Sequence, residues 1–167
     1  MNEDGLNETN QYLTFMLDQE VYGLGIAKVR EVLDKMAITK VPKTPDFMRG
    51  VINVRGGVVP VVDLRVKFGM SPTPQTVNTC IIIVEIIMEG ESTILGALAD
   101  KVEEVLDLDP EQIEPAPRIG TRLRTDFIKG MGKRDEQFII ILDIDRVFSS
   151  EELASVLPES QKVLESA

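Results

Sequence analysis

Three pairs of closely spaced acids, Glu103 with Glu104, Asp107 with Asp109 and Asp143 with Asp145, are the side chains best placed to move a proton or hold a cation. Two facing carboxylates can serve as general acid and base when their environments push their pKa values apart. Beside them stand a single thiol, Cys80, and the glycine-bearing segment Arg55-Gly56-Gly57. The chain contains no histidine, which removes Ser-His-Asp and Cys-His arrangements, imidazole bases and histidine metal ligands. Asp107 and Asp109 lack the loop with a central glycine that a calcium site of this spacing needs, and read as solvated or capping acids. Arg55-Gly56-Gly57 carries neither the lysine and hydroxyl of a phosphate loop nor a dinucleotide fingerprint, and reads as a hairpin turn. Cys80 lies in an apolar β-prone run with no basic neighbour, which favours a buried, unreactive thiol. An aromatic content of 5% without tryptophan is a poor basis for a sugar-stacking cleft. No enzymatic activity, cofactor or metal is expected.

Eighteen basic and twenty-eight acidic residues give a formal charge of -10. A field of that sign repels phosphate backbones and anionic lipid, so neither nucleic acid nor direct membrane contact is expected. Arg118, Arg122 and Arg124 form the one basic cluster, with no aromatic side chain interleaved. Apolar runs such as Cys80 to Val84 are far shorter than the roughly 20 residues of a membrane helix. The start of the chain has neither the basic nor the apolar region of a signal peptide, and a cytoplasmic location is expected.

The elements that must position these groups are mostly strands. Tyr12 to Leu17 and Val21 to Ile26 read as a hairpin. Ala27 to Leu33 carries Val29, Val32 and Leu33 at a spacing that predicts one or two helical turns. Val51 to Val54 and Val58 to Val62 predict a second hairpin whose Gly56 and Gly57 can take positive φ, with Pro60 at an edge or bulge. Asp63 predicts the cap of a short helix to Phe68. Thr79 to Ile87, Ser92 to Ala99 and Phe138 to Leu142 predict further strands, the last one buried. Asp100 to Leu106 suits either a strand or a short helix, and Asp109 to Ile113 suits a capped turn. Residues 1–9 read as a flexible acidic N-terminus, 10–150 as the folded domain, and 151–167 as a C-terminal helix and tail.

The first half of the chain resembles the second. Asp46-Phe47-Met48-Arg49-Gly50 matches Asp126-Phe127-Ile128-Lys129-Gly130 at an offset of 80, as do Asp63-Leu64 with Asp143-Ile144 and Phe68 with Phe148. Gly23 and Val29 to Leu33 match Gly96 and Val102 to Leu106 at an offset of 73. Each copy is expected to form a small sheet unit that cannot bury its apolar face alone, and the two together share a core with a groove between them.

These residues also carry a family resemblance. Val51-Ile52-Asn53-Val54-Arg55-Gly56-Gly57-Val58-Val59-Pro60-Val61-Val62-Asp63-Leu64, preceded by Pro45, Phe47 and Gly50, is similar to the hallmark stretch of the CheW-like domain of chemotaxis coupling proteins. Tyr22-Gly23, Gly96, Ile113 with Pro115 and Pro117, and Gly130 fall in the family's order, so the likeness spans about residues 10 to 150. The resemblance implies an all-β fold of two five-stranded, SH3-like or OB-like barrel subdomains around a shared core, with short helices. It implies a non-enzymatic scaffold that couples the cytoplasmic tips of methyl-accepting chemotaxis receptors to the regulatory domain of the histidine kinase CheA. It also implies recruitment to membrane-associated arrays, at a length that leaves no room for a kinase or receiver domain.

Carried over residue by residue, the resemblance places Val29, Glu31 and Arg55 at the receptor-binding and signalling surface. Val29 suits a core position equally well, and Arg55 suits a hairpin held by hydrogen bonds to nearby carbonyls. Ile38, Val41 and Leu64 are the expected kinase face, and Gly50, Gly56, Gly57 and Asp63 the structural motif. Two rivals stand beside this reading. A purely structural β protein would lack an apolar strip along the seam, and a carboxylate enzyme would bring two acids together with a raised pKa.

Overall fold

The computed structural model describes residues 11–34, 36–115 and 126–156. Strands β1 (Gln11–Leu17), β2 (Glu20–Gly25), β3 (Val29–Leu33), β4 (Met48–Val54) and β5 (Gly57–Asp63) come from the first copy. Strands β6 (Cys80–Met88), β7 (Glu91–Ala99), β8 (Lys101–Asp107), β9 (Ile113–Glu114), β10 (Ile128–Arg134) and β11 (Gln137–Leu142) come from the second. They form two sheets, ordered β8-β1-β2-β11-β10-β9 and β3-β6-β7-β5-β4. Neither sheet belongs to one copy. Each takes one hairpin from one copy and the remaining strands from the other, which corrects the expectation that each copy forms its own small sheet. The first barrel, named here for its hallmark hairpin β4-β5, is the five-stranded sheet. The second is the six-stranded one.

The exchange rests on two parallel joins. Gly23 of β2 faces Ile141 of β11, and Gly96 of β7 faces Val61 of β5. A Cβ on Gly96 would lie 2.8 Å from the Ile81 side chain of β6, so the packing inside the first barrel depends on its absence. Three cores result. One inside each barrel is small, built around Ile52, Val61 and Ile81 or around Tyr12, Leu106 and Ile141. The large one lies where the sheets meet and includes Phe15, Leu24, Phe47, Ile82, Leu95 and Phe148. The duplicated phenylalanines cross over within it: Phe47 packs on Phe148 at 5.2 Å, and Phe127 stacks on Phe68 at 4.9 Å. Each copy thus supplies one ring to the other's pair, and aromatic pairs of this kind add about 1 kcal/mol beyond their burial.

Several local expectations change. Ala27 to Leu33 is a single 3₁₀ turn, Ile26–Lys28, followed by strand β3. The helix-like spacing arises from a bulge, because the pairing shifts between Val29 opposite Val84 and Glu31 opposite Ile83. The extra residue, Arg30, returns Val29 and Val32 to one face of the strand. The second copy repeats the device between Val102 and Val105, opposite Leu13, Thr14 and Phe15. There the Thr14 hydroxyl fills the gap in the ladder, donating to the Glu104 carbonyl at 2.8 Å and accepting from the Glu104 amide at 3.2 Å.

Pro60 sits in an interior strand, but the parallel pairing of β5 with β7 begins only at Val61, so no partner requires its missing N–H. Residue 138 is also corrected: β11 is buried from Ile139, whereas Phe138 is 48% exposed. Cys80 is half-buried; its thiol donates to the Asn78 carbonyl at 3.1 Å, and burial pushes its pKa up. The helix Leu64–Lys67 forms as expected, with the Asp63 side chain accepting from the Arg65 amide.

The C-terminal helix Ser150–Val156 buries Leu153 and Val156. Ser149 and Glu152 cap it reciprocally, each side chain accepting from the other's backbone N–H at 3.0 and 2.9 Å. Lys67 Nζ pairs with Glu152 at 2.9 Å while lying 5.8 Å from the ring centres of both Phe47 and Phe148. Burial raises the Glu152 pKa, but the Lys67 and Ser149 hydrogen bonds outweigh it and leave the carboxyl below its ordinary range. Its stabilising charge is therefore present at neutral pH and is lost as pH falls through that lowered value. Glu152→Gln at neutral pH is expected to speed amide exchange in Ser150–Val156 and leave the strands protected. Unchanged exchange in the helix would refute the anchoring role. Arg118, Arg122 and Arg124, the acidic N-terminus and the tail beyond Val156 lie outside the described residues. No helix among the described residues is long and apolar enough to cross a membrane.

Candidate functional site

Of the three expected signalling residues, Val29 faces the shared core, whereas Glu31 and Arg55 meet at the open mouth of the first barrel. A cavity of about 300 Å³ lies there, floored by Val54, Val59, Ile83 and Ile94 and rimmed by Arg30, Glu31 and Arg55. The β4-β5 hairpin sets the rim. Its turn has positive φ at Arg55 (49°) and Gly56 (89°), which matches the right-handed twist of the strands it joins. Gly57 is an ordinary strand residue paired with Val54, so its expected positive φ is corrected: Arg55 takes that conformation instead. Asn53 accepts from the Gly56 amide at 2.8 Å and fixes the turn.

Among the described residues the Arg55 guanidinium donates to a carboxylate and not to a carbonyl. It is 73% exposed and pairs with the Glu31 carboxylate across the mouth. That hydrogen bond holds Glu31 below the usual carboxylate range and raises Arg55. The guanidinium groups held by several acceptors are elsewhere. Arg49 reaches Asp63 at 2.9 Å and the Thr73 carbonyl at 3.2 Å, and Arg65 reaches Asp100 and both the carbonyl and hydroxyl of Ser71.

The second barrel has a related mouth. Glu104, the counterpart of Glu31, pairs at 3.5 Å with Arg134 at the tip of the β10-β11 hairpin. An edge strand is thus pinned to a hairpin tip in both barrels, although the second arginine stands one place earlier than the counterpart of Arg55. The repeat in sequence did not reveal this, because Arg55 itself aligns with Asp135.

Val29 is half-buried and packs on the shared core. Val32 lies opposite Ile82 and Val105 opposite Leu13, so both point to the shared-core face of their sheets. These two valines, equivalent in the repeat, are 39% and 48% exposed. Sequence reasoning had not singled them out as surface residues, since the helical reading of β3 hid the strand edge. Ile38 is half-buried and Val41 is 37% exposed. Leu64 is wholly buried in the shared core, so its side chain is not open to a partner, which corrects its place on the expected kinase face. Gly50 and Asp63 are buried structural residues.

The acids do not form a catalytic pair. Asp145 binds Lys28 at 2.9 Å and accepts from the Ile87 amide, while the Gln112 side chain accepts from the Asp109 amide beside a 3₁₀ turn. Among the described residues the carboxylates with displaced pKa values, Glu31, Glu85 and Glu152, all move downward, opposite to a general acid. Among the described residues no group of three or more potential ligands is placed to hold a metal.

Residues 11–152 match the family described as the CheW-like domain. This chain belongs to the CheW-like family. It is 39% identical over 146 residues to the chemotaxis protein CheW of Klebsiella aerogenes, covering 87% of this chain and 86% of that one. It is 30% identical over 142 residues to the probable chemotaxis protein CheW of Rhizobium etli, covering 85% and 89%. The crystal structure of the scaffolding protein TtCheW from Thermoanaerobacter tengcongensis superposes with a TM-score of 0.75 at 38% identity, covering 86% of this chain and 94% of that one. The two-sheet architecture is the fold of the CheW-like family, and the chain is a non-enzymatic chemotaxis scaffold.

Proposed function

We propose that this chain couples methyl-accepting chemotaxis receptors to the histidine kinase CheA, working in the cytoplasm at membrane-associated arrays. The observation that carries the receptor half is the apolar face of the shared core, which continues to solvent at Val32 and Val105 on β3 and β8, edge strands among the described residues. Val29 lies beside Val32 on that face. An apolar stripe of a helical receptor tip fits such a strip, with helix positions three and four apart as anchors. The regulatory domain of CheA is the partner for the surface around Ile38 and Val41. The Arg55–Glu31 pair holds the hairpin to β3 and so sets the spacing of the barrel mouth between these surfaces.

The test is a titration of the purified chain against the CheA regulatory domain and a receptor cytoplasmic fragment, with kinase activity read in the three-part mixture. The wild type is expected to bind both. Arg55→Glu is expected to abolish kinase stimulation while leaving the urea midpoint nearly unchanged, because the pair is solvent-exposed. The double exchange Arg55→Glu with Glu31→Arg restores the pair and is expected to recover much of the stimulation. Full stimulation by the single variant would remove the pair from the signalling surface. Absence of binding to either partner by folded protein would refute the coupling function for those partners.

A further inference from the structure

A second cavity, of about 400 Å³, opens beside the loop that carries Val41. Its walls include Lys40, Val41, Lys43, Asp46, Met48 and Arg49. Three cations against one carboxylate is unusual in a chain of net charge -10. Arg49 is already engaged by Asp63, but neither Lys40 nor Lys43 has a carboxylate within ion-pair distance among the described residues, and both are exposed. The loop is built to present them. Lys43 adopts φ +61°, a conformation that costs an L residue about 1 kcal/mol and persists only where its surroundings enforce it. Pro42 and Pro45 flank it, and the Thr44 hydroxyl closes the turn onto the Val41 carbonyl at 3.0 Å. Arg49, anchored through Asp63 to Thr73, fixes the opposite wall.

From the unpaired lysines, the enforced turn and the apolar floor of Val41 and Met48, we infer that this cavity receives an acidic segment of a partner protein, with one or more carboxylates seated between Lys40 and Lys43. Charge complementarity selects the partner: a basic segment meets two unpaired ammonium groups, whereas an acidic one neutralises them. Against the chain's net charge of -10, attraction at this patch would also orient an acidic partner. The inference builds on the reading of the Val41 loop as partner-facing and adds the chemistry of what it meets.

The experiment uses the full chain and a fluorescent Glu/Asp/Leu peptide, with its Gln/Asn/Leu counterpart as control, followed by anisotropy at low and high salt. The acidic peptide is expected to bind at least roughly tenfold more tightly than the control. That preference is expected to vanish in Lys40→Glu/Lys43→Glu and to persist in Lys101→Glu/Lys133→Glu, which places the same charge change on the second barrel. Equal binding of both peptides, or an equal loss in the second-barrel variant, would overturn the inference. Displacement of the peptide by inorganic phosphate but not by chloride at equal ionic strength would assign the cavity to a small anion and overturn it as well.

The CheA regulatory domain, titrated against the same lysine variants and against Val41→Ser, separates this inference from the kinase-face reading. Loss of peptide binding with kinase affinity unchanged in all variants would support the acidic-segment site and refute the kinase face. Kinase binding lost only in Val41→Ser, with no peptide preference in the wild type, would do the reverse.

Discussion

Alanine at position 50 is expected to lower stability by more than about 3 kcal/mol, seen as a fall in the urea midpoint and early amide exchange in β4 and β5. Gly50 sits at a bulge with φ +145°, and a Cβ there would lie 2.2 Å from the Thr39 carbonyl oxygen. That oxygen belongs to the bridge that closes the first barrel, in which Thr39 and Val51 exchange two backbone hydrogen bonds of 2.9 Å. Backbone cannot yield as a flexible side chain would, so the bridge must open or the strand must shift. Gly57→Ala is the matched control, since its Cβ would meet only the Val54 carbonyl at 3.4 Å. It is expected to change stability by less than about 1 kcal/mol. Similar midpoints for the two variants would refute the steric argument.

The second large effect is expected at Asp63. Its carboxylate is completely buried and accepts from the Arg65 amide, the Thr73 amide, the Thr73 hydroxyl and the Arg49 guanidinium at 2.7 to 3.1 Å. Asp63→Ala would strip four donors at once and leave a partly buried guanidinium uncompensated. Losing one member of such a buried pair costs about 3 to 5 kcal/mol. Asp63→Asn keeps the shape and part of the acceptor capacity, and is expected to fall between alanine and wild type. Urea unfolding of the three proteins checks the order. An alanine variant within about 1 kcal/mol of wild type would show that Asp63 does not hold the loop after the helix Leu64–Lys67 in place.

Much of this molecule was legible in its residues, and the misses have physical causes. Alternating β-branched runs located the strands of the hallmark hairpin, and Asp63 was recognised as a cap because short acids favour that position. The strand β3 was read as helix because a bulge converts a period of two into a spacing of three, and sequence spacing alone cannot tell the two apart. The same error concealed the exposed edge at Val32. The duplication was visible, but which copy pairs with which was not, since parallel joins between β2 and β11 or β5 and β7 leave no local signature. Of the two roles Arg55 suits, a hairpin held through nearby carbonyls and a signalling surface, the first does not foresee its acceptor, which lies 24 positions away on Glu31 in a tertiary pairing that no turn propensity encodes. Leu64 looked like surface for a related reason: an apolar residue beside a helix cap is equally at home inside or outside until the neighbouring sheet is known.

The shared construction of the sheets also governs the order in which the newly made chain can fold. Sheet β3-β6-β7-β5-β4 has all its strands once Ala99 has emerged from the ribosome. The hairpin β1-β2, made first of all, is flanked by β8 and β11, and the latter ends at Leu142. At ordinary rates of translation this oldest hairpin stands without its parallel neighbour for on the order of ten seconds. Its apolar face, with Phe15, Leu17 and Leu24, is the segment a chaperone would meet during that interval.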